Sequence, residues 1–364
     1  MKVICMYLPQ YHTFPENDAW WGEGYTEWTA VRRAKPLYTG HMQPRVPLDG
    51  RYYDLLKEAA ATWQWQAELA KKYHVYGFCI YQYWFCGKQL MEKPMEILLQ
   101  HPEIDLHYSI CWANESWTRT WYGIEEEILM KQEYGEEADW RRHFEYLLPF
   151  FKDTRYIQID GKPVLHIYRT FDIECLEQML GCFRKWAIEE GFSGLYIVSA
   201  KTASAQESRT ELVDGYYYFE PGYTLKHDFG AVHQLLYNGS VFIKSKINKI
   251  RKRKLLERTI PANWILNKIA ARDYSQENCF PGLIPDWDNT PRRSYKGLAY
   301  TGTNPEQFEK ALRSIEQKVQ EKKLNYVYIN AWNEWGEGAM LEPDEARGYG
   351  YLEAINHVVN ELEK

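Results

Sequence analysis

The chain has 364 residues, 45% of them hydrophobic and 26% charged, a composition typical of a globular protein with a large core. Its formal net charge of −6 argues against nucleic-acid binding. No apolar run approaches 18 residues, so the sequence predicts no membrane-spanning helix.

The N-terminal sequence MKVICMYLPQYH predicts a strand that begins almost at once, and it contains no signal-peptide pattern. The seven cysteines are an odd number without a CxxC pair, and several lie in apolar strand-like runs, where free cysteine behaves as a small hydrophobe. We therefore expect reduced cysteines and a cytoplasmic location, with the inner face of the membrane as a more specific alternative.

Eight strand-like segments follow one another along the chain, and helical segments separate most of them. The strands are predicted at 3–8, 75–81, 107–112, 163–168, 195–200, 215–219, 279–284 and 326–330. The helices are predicted at 63–73, 138–151, 174–191, 305–323 and 351–362. Strands that are apolar on both faces and alternate with helices indicate a parallel sheet covered by helices. Eight repeats predict an α/β fold of the (β/α)8 TIM barrel type, and the chain has no GxGxxG or Walker sequence to favour a nucleotide-binding doubly wound sheet.

Two predicted connections are much longer than usual. Residues 10–62 connect the first strand to the second, and residues 222–277 connect the sixth to the seventh. Long connections after barrel strands are usually functional. No linker, low-complexity tract or repeat divides the chain, so residues 1–364 are predicted to form one catalytic barrel domain.

Aromatic, amide and acidic side chains recur where the predicted strands end. Barrel chemistry is found at these ends, because the loops that follow converge over one face. The 29 Tyr and 15 Trp combine apolar faces with polar edges and so suit sugar rings, although they also fill cores. We therefore expect an aromatic-lined, acidic substrate cleft formed by Tyr7, His12, Trp21, Trp28, Tyr83, Trp84, Trp112, Asn114, Glu115, Trp117, Tyr218, Glu220, Trp287, Asp288, Trp332, Asn333 and Trp335.

Residues 330–338 read NAWNEWGEG and contain two glutamates, Glu334 and Glu337, directly after the last predicted strand. Glutamates three apart also occur on many surface helices, so the pair by itself indicates little. Cleavage of a glycosidic bond, however, requires an acid for the leaving oxygen and a second group on the opposite side of the anomeric carbon. Low-dielectric surroundings raise the pKa of whichever carboxyl group must stay protonated. If the chain becomes helical after Asn333, the two glutamates share a face with Cβ atoms about 5–6 Å apart. No GxSxG, HExxH or zinc-ligand spacing occurs, so no metal and no cofactor is expected.

Five motifs cover nearly the whole chain, in order from about residue 3 to about residue 350. They are YLPQYH…WWGEGYTEW, YGFCIYQYWF, CWANESWTR, PDWDNTPRR and NAWNEWGEG. Together they resemble the WbsX family, a glycoside hydrolase family 99-like group found in bacterial polysaccharide loci. Family 99 itself contains endo-acting α-mannosidases with a (β/α)8 barrel, and its eighth-strand motif is similar to residues 333–338.

The resemblance implies roles for the two glutamates. Glu334 would remove the proton of the sugar 2-hydroxyl and give a 1,2-anhydro intermediate. Glu337 would protonate the leaving group and then activate water. Glu334 is accordingly expected to be ionised, and Glu337 to hold a proton more readily. The sequence departs from family 99 at Gly336, where a histidine is common in that family.

Three functions remain open at the level of sequence. The leading interpretation is a retaining glycosidase-like enzyme acting on a bacterial polysaccharide or oligosaccharide. WbsX-like chains are also named glycosyltransferases, so a transferase of O-antigen or capsular polysaccharide biosynthesis is the alternative. A catalytically inactive glycan-binding protein is the third. The sugar, its linkage, endo or exo action and the oligomeric state are left open.

Residues 244–258 form a strongly basic segment. Ile243, Ile247 and Ile250 recur at helical spacing, which predicts a helix with one apolar face. A solvated surface helix is the simplest interpretation. Peripheral contact with an anionic membrane is the functional alternative.

Overall fold

The computed structural model describes residues 1–118, 127–204, 210–251 and 254–360, and its centre is a ring of parallel strands. The ring strands are β1 (Lys2–Tyr7), β2 (Val75–Phe85), β3 (His107–Trp112), β4 (Lys162–Ile167), β5 (Tyr196–Lys201), β6 (Gly215–Tyr218), β7 (Cys279–Phe280 and Gly282–Leu283) and β8 (Tyr326–Ile329). Strands that are consecutive in this series pair with each other, and β8 pairs with β1. The predicted (β/α)8 barrel is confirmed, with every predicted strand present to within four residues at its ends.

The seventh strand is divided in two, and each part pairs with a different neighbour. Cys279–Phe280 pairs with β6, whereas Gly282–Leu283 pairs with β8. Pro281, which lies between them, has no N–H group to donate to a strand ladder. A Cβ at Gly282 would overlap the carbonyl oxygen of Tyr218, so a glycine is needed where β6 and β7 approach each other. The division lets the ring close.

Aromatic side chains fill much of the barrel interior. Tyr217 on β6 stacks on Tyr328 on β8, with ring centroids 4.6 Å apart. His166 on β4 forms a hydrogen bond of 2.8 Å with the Tyr328 hydroxyl. Because these residues come from strands that do not pair with one another, the contacts cross the barrel. Burial lowers the pKa of His166 to about 3, so the imidazole is neutral in this interior.

Helices surround the strands. They are α1 (Pro15–Trp21), α2 (Glu27–Arg33), α3 (Ala59–Lys72), α4 (Lys93–Gln100), α5 (Glu137–Phe151), α6 (Leu176–Glu189), α7 (Ala231–Arg251), α8 (Ala262–Ala271), α9 (Thr290–Arg293), α10 (Pro305–Val319) and α11 (Gly350–Asn360). Helix α10 illustrates why they form: the Asn304 side chain caps the first turn by accepting from Gln307 N at 2.8 Å, and Pro305 follows at the first position. The five predicted helices are confirmed, and the predicted end of the last one, at 362, lies outside the described residues.

Short strands and turns complete the structure. The two-stranded pairs are Lys88–Leu90 with the end of β2, Trp117–Thr118 with Ile128–Met130, Gln158–Ile159 with the start of β4, Arg258–Pro261 with Leu298–Thr301, and Asn333–Glu334 with Ala339–Met340. Single 3-10 turns lie at Leu48–Gly50, Thr170–Asp172, Thr210–Leu212, Ser294–Lys296 and Trp335–Glu337, and a π-turn lies at Thr224–Asp228.

The long connection after β1 folds over the carboxyl ends of the strands. It contains α1, α2 and α3, and buried polar contacts hold its middle part against the segment after β7. His41 Nε2 and Gln43 Nε2 contact Asp288 Oδ2 at 2.8 and 2.7 Å, and Arg45 is paired with Asp286. The connection therefore forms part of the wall above the barrel.

The long connection after β6 contains α7 and α8. The Asn248 amide of α7 bonds to Leu255 O at 2.9 Å and to Glu257 Oε1 at 3.1 Å, which fixes the chain that returns to the strand at Arg258–Pro261. Residues 252–253 of the basic segment lie outside the described residues. No helix in the described part of the chain is both long and apolar enough to cross a bilayer.

Candidate active site

A cleft of about 640 Å³ opens at the carboxyl ends of the barrel strands. Each of the eight strands contributes at least one side chain at or just beyond its end. These residues include Leu8, Tyr83, Glu115, Arg169, Thr202, Phe219, Trp287 and Glu334. A cleft in this position is where (β/α)8 barrels carry out their chemistry.

Seven of the residues proposed from the sequence line this cleft; Glu334 is buried, and the other six are partly exposed. The seven are Trp21, Tyr83, Glu115, Trp117, Trp287, Glu334 and Glu337. Three of the aromatic rings come from different parts of the chain: Trp21 from α1, Tyr83 from β2 and Trp287 from the segment after β7. Tyr83 packs edge-on against Trp117, with ring centroids 5.2 Å apart. The walls therefore combine flat aromatic faces with carboxyl groups.

The two glutamates lie on a tight turn rather than on the α-helix expected after Asn333. Asn333–Glu334 forms a short antiparallel pair with Ala339–Met340, and Trp335–Glu337 is a 3-10 turn between them. Gly338 closes the turn at φ 66°, in the left-handed region that favours glycine. Both carboxyl groups nevertheless line the cleft, and both contact Arg292.

One guanidinium group contacts three carboxyl groups beneath the cleft. Arg292 Nη2 donates to Glu334 Oε2 at 3.1 Å, Arg292 Nη1 donates to Glu337 Oε1 at 2.8 Å, and Arg292 Nε donates to Glu27 Oε1 at 2.9 Å. Arg292 belongs to α9, which the motif PDWDNTPRR encodes, and Glu27 begins α2. Glu27 is fully buried, and its second oxygen has no hydrogen-bond partner among the described residues. The fork geometry of arginine allows all three contacts at once.

Gly336 leaves the space that Glu27 and Arg292 occupy. A Cβ built on Gly336 would overlap Glu27 Oε1 and lie 2.8 Å from Arg292 Nε. Any larger residue at position 336 is therefore incompatible with the Glu27–Arg292 pair as it stands. This gives a physical reason for the glycine at a position where histidine is common in the hydrolase family that the motif resembles.

Burial raises the pKa of both cleft glutamates. The pKa of Glu334 rises to about 8, because desolvation and the nearby Glu337 carboxylate outweigh the opposing charge of Arg292. Desolvation also raises the pKa of Glu337, and Arg292 and Arg293 oppose it there. Glu337 is the more exposed side chain, at 18% against 9%. Burial thus favours the protonated form of Glu334 in the free protein, which is opposite to the expectation that this carboxyl group is ionised.

A buried carboxylate beneath the turn holds the neighbouring indoles. Glu342 accepts hydrogen bonds from Trp332 Nε1 at 3.0 Å and from Trp335 Nε1 at 2.7 Å. It also accepts from Gln66 Nε2 at 2.6 Å and from the Tyr53 hydroxyl at 3.0 Å. Burial raises the pKa of Glu342 to about 7, against these four donors. The interaction fixes the turn that carries Glu334 and Glu337.

Trp332, Asn333 and Trp335 do not line the cleft, contrary to the prediction. Both indoles are buried and point down to Glu342. The Asn333 side chain accepts from Leu8 N at 2.8 Å and donates to Leu8 O at 3.0 Å. These residues support the site from below, because the short strand places only Glu334 toward the cleft.

Four further aromatic residues predicted to bind substrate are buried in packing contacts. Tyr7 stacks on Trp63 of α3 at 4.6 Å and donates to Gln66, so it faces the outer helices. Trp28 donates to Tyr53 O at 2.8 Å. Trp84 stacks on His143 at 4.6 Å, and Trp112 donates to Trp84 O at 3.1 Å. Tyr7, Trp84 and Trp112 lie on strands, where alternate residues point to opposite faces. The sequence alone did not reveal which residues of each strand face the cleft.

Five polar residues predicted for the cleft are also engaged elsewhere. His12 is buried beside Phe14, where desolvation lowers its pKa, and the amide of Asn114 bridges to Arg169 O at 2.8 Å. The ring of Tyr218 lies under the guanidinium of Arg272, which also pairs with Glu220 at 2.8 Å. Asp288 is held by His41 and Gln43 and accepts from Thr290 N at 3.0 Å. Local partners therefore engage Asn114, Glu220 and Asp288, whereas His12 Nε2 is buried without a hydrogen-bond partner among the described residues.

The structure also identifies site residues that the sequence reasoning did not select. Arg292 and Glu27 were both contained in motifs quoted for the family resemblance, PDWDNTPRR and GYTEW, which is the signal that could have found them. Tyr168 and Arg169 line the opposite wall, where Arg169 pairs with Glu115 at 2.8 Å. Desolvation raises the pKa of Glu115 despite this ion pair. No set of three or more potential metal ligands comes together in the described ranges.

Comparisons with known proteins agree with the motifs. Residues 3–355 match the family described as "Glycosyltransferase WbsX". Two relatives from Xanthomonas campestris pv. campestris, each described as "Uncharacterized protein WxcX", are 33% and 32% identical over 363 residues. These alignments cover 98% of this chain but 49% of each relative, so the chain spans about half the length of the curated relatives it matches.

Two solved structures are similar in fold. One is the GH99 endo-alpha-mannosidase from Bacteroides thetaiotaomicron, with a TM-score of 0.54, 14% identity and coverage of 99% of this chain and 97% of that chain. The other is described as a glycoside hydrolase-like protein, with a TM-score of 0.56, 13% identity and coverage of 98% and 93%. At these identities the similarity establishes the barrel architecture alone. The match over residues 3–355 establishes the family: the chain belongs to the WbsX glycosyltransferase family.

Proposed function

We propose that this barrel is a glycan-acting enzyme that breaks glycosidic bonds of a polysaccharide or oligosaccharide with retention of configuration, using Glu334 and Glu337. The observation that carries the proposal is the arrangement of both carboxyl groups on Arg292 at the bottom of an aromatic-walled cleft. A pair that holds one proton supplies both an acid and a base, which glycoside cleavage requires.

The proposed chemistry has two steps, with the roles taken from the family 99 resemblance. When substrate binds, the shared proton is on Glu337 and Glu334 is ionised. Glu334 removes the proton of the 2-hydroxyl, O2 bonds to C1 as the glycosidic bond breaks, and Glu337 gives its proton to the departing oxygen. In the second step, Glu337 takes a proton from water that attacks C1, the C1–O2 bond breaks, and O2 recovers its proton from Glu334. Two inversions give retention.

The pKa of Glu334 is compatible with the role of base. A carboxylate whose pKa has been raised by burial is a stronger base than an exposed one, and proton transfer is most efficient when the pKa lies near the working pH. The route also requires the 2-hydroxyl and the leaving group to lie trans across C1–C2. It therefore favours α-manno-configured or similarly arranged sugars.

Substitution of each glutamate by glutamine tests the catalytic assignment. Glu334→Gln and Glu337→Gln preserve shape and remove proton transfer, so each should lower turnover about 10²–10⁴-fold. The exposed helical Glu353→Gln is the matched control and should retain full activity. A substrate with an activated leaving group should partly rescue Glu337→Gln but not Glu334→Gln. Near-normal turnover in both variants contradicts the assignment.

A glycosyltransferase is the second candidate, because the family description names that activity. Product analysis separates the two. The protein is incubated with bacterial glycans, with and without nucleotide sugars. New reducing ends in the absence of nucleotide sugar support hydrolysis, whereas consumption of the nucleotide sugar supports transfer. Glycan binding without either reaction would indicate an inactive glycan-binding protein.

A further inference from the structure

The outer face of α7 is an unusual surface, because large apolar side chains project from it. Five of the ten large hydrophobic residues that are strongly exposed in the described ranges lie on this one helix. They are Leu235, Leu236, Phe242, Ile243 and Ile250, with exposures from 60% to 77%. Single exposed apolar residues are ordinary, but a concentration of them on one element marks a surface that contacts something apolar.

These five side chains form one stripe along the helix. At about 100° per residue, their directions fall within an arc of about 120°. Ile243 and Ile250 of the predicted apolar face point outward with the stripe, and Ile247 beside them is half-buried.

The opposite face of α7 is already held by the segments that flank this helix in the same connection. Tyr237 packs against Phe229, with ring centroids 5.3 Å apart, and Asn248 forms hydrogen bonds with the backbone of Leu255. Lys244 Nζ lies 3.3 Å from Thr259 Oγ1 on the same side. The exposed stripe is therefore not the core-facing side of a displaced helix, because a separate set of residues performs that packing.

Basic side chains accompany the stripe. Lys246 projects among the apolar residues, with its Nζ 5.4 Å from the ring centroid of Phe242, and Lys249 lies at the edge of the stripe by helical geometry. In the sequence, residues 244–258 contain eight Lys or Arg and one Glu, whereas the whole chain has a net charge of −6. An apolar stripe with lysines beside it matches the chemistry of a bilayer interface that carries acidic phospholipids.

We propose that α7 docks this barrel on the surface of an anionic membrane, with the stripe inserted at the level of the acyl boundary and Lys246 and Lys249 among the headgroups. The chain after α7 leads to Arg258, which lines the cleft. The proposed docking helix and a residue of the candidate active site are thus close together in the chain. The proposal is independent of the reaction that the cleft catalyses.

Vesicle flotation of the 364-residue chain tests the proposal. We expect binding to vesicles of phosphatidylcholine with about one-third phosphatidylglycerol at low salt, and weak binding to pure phosphatidylcholine. Phe242→Gln/Ile243→Gln should weaken binding at least about tenfold, because it removes apolar area from the stripe. Lys246→Gln/Lys249→Gln should weaken it about tenfold or more at low salt, with less effect at high salt.

Ile188→Gln on α6 provides the matched control, since Ile188 is 61% exposed on a helix remote from the stripe in sequence. It should bind vesicles like the unsubstituted protein, and circular dichroism should show all variants folded. Failure of the unsubstituted chain to bind anionic vesicles overturns the proposal. So does equal binding by the Phe242→Gln/Ile243→Gln variant, or concentration-dependent self-association that this variant abolishes, which would assign the stripe to a second copy of the chain.

Discussion

Substitution of Gly336 by alanine is the most direct test of the site geometry. The added methyl group would overlap Glu27 Oε1 and crowd Arg292 Nε, and Glu27 is fully buried, so its carboxyl group has no free space to occupy. Overpacking of this kind costs about 1–3 kcal/mol. If Glu27 is forced off Arg292, the separation of a buried ion pair raises the cost to about 3–5 kcal/mol. Thermal unfolding should show a decrease of several degrees in Tm.

A double-mutant cycle identifies the cause. Glu27→Ala removes the carboxyl group that the new methyl would strike, so Glu27→Ala/Gly336→Ala should be more stable than the sum of the two single effects predicts, by at least about 1 kcal/mol. Gly181→Ala on the exposed side of α6 is the matched control: a Cβ there meets nothing within 4 Å, so it should be neutral or slightly stabilising. Additivity of the two site substitutions to within about 0.5 kcal/mol would refute the proposed steric exclusion.

Four other predictions concern the charged groups of the site. Burial raises the pKa of Glu334 above its unfolded value, so the ionisation of this carboxyl group lowers the stability of the folded protein as pH rises from about 4.5 to about 8. Glu334→Gln should therefore raise Tm more at pH 8 than at pH 5. An equal shift in Tm at both pH values contradicts the raised pKa. Activity should likewise fall as pH rises through about 8, where the pair loses its shared proton; a pH–rate profile that stays flat to pH 10 would exclude this role. Arg292→Lys keeps the charge but cannot contact three carboxyl groups, so turnover should fall about tenfold or more in a chain that still folds. Unchanged turnover would show that the contacts of Arg292 with the three carboxyl groups are not needed for catalysis. Glu342→Gln turns an amide donor toward four existing donors, which should destabilise the protein by about 1–3 kcal/mol in thermal unfolding; wild-type stability would show that these hydrogen bonds are dispensable.

The sequence by itself determined the barrel. Eight apolar runs that alternate with helical ones have few other ways to bury both faces of every strand, so the positions of β1 to β8 followed from the pattern to within four residues. It also placed Glu334 and Glu337 at a strand end, and chain order alone requires such ends to meet over one face. The pattern could not reveal that β7 is divided at Pro281, because that depends on how closely β6 approaches Gly282.

Only the tertiary structure decided which side chains face the cleft and which carry charge there. Tyr83 lines it while Trp84, the next residue, packs on His143, since neighbours on a strand point to opposite faces and no pattern of aromatics on both faces distinguishes them. Arg292 and Glu27 are 265 residues apart in sequence, and only folding brings them together against Glu334 and Glu337. The protonation of the pair depends on that contact, because burial and neighbouring charges set a pKa, and both are properties of the folded chain.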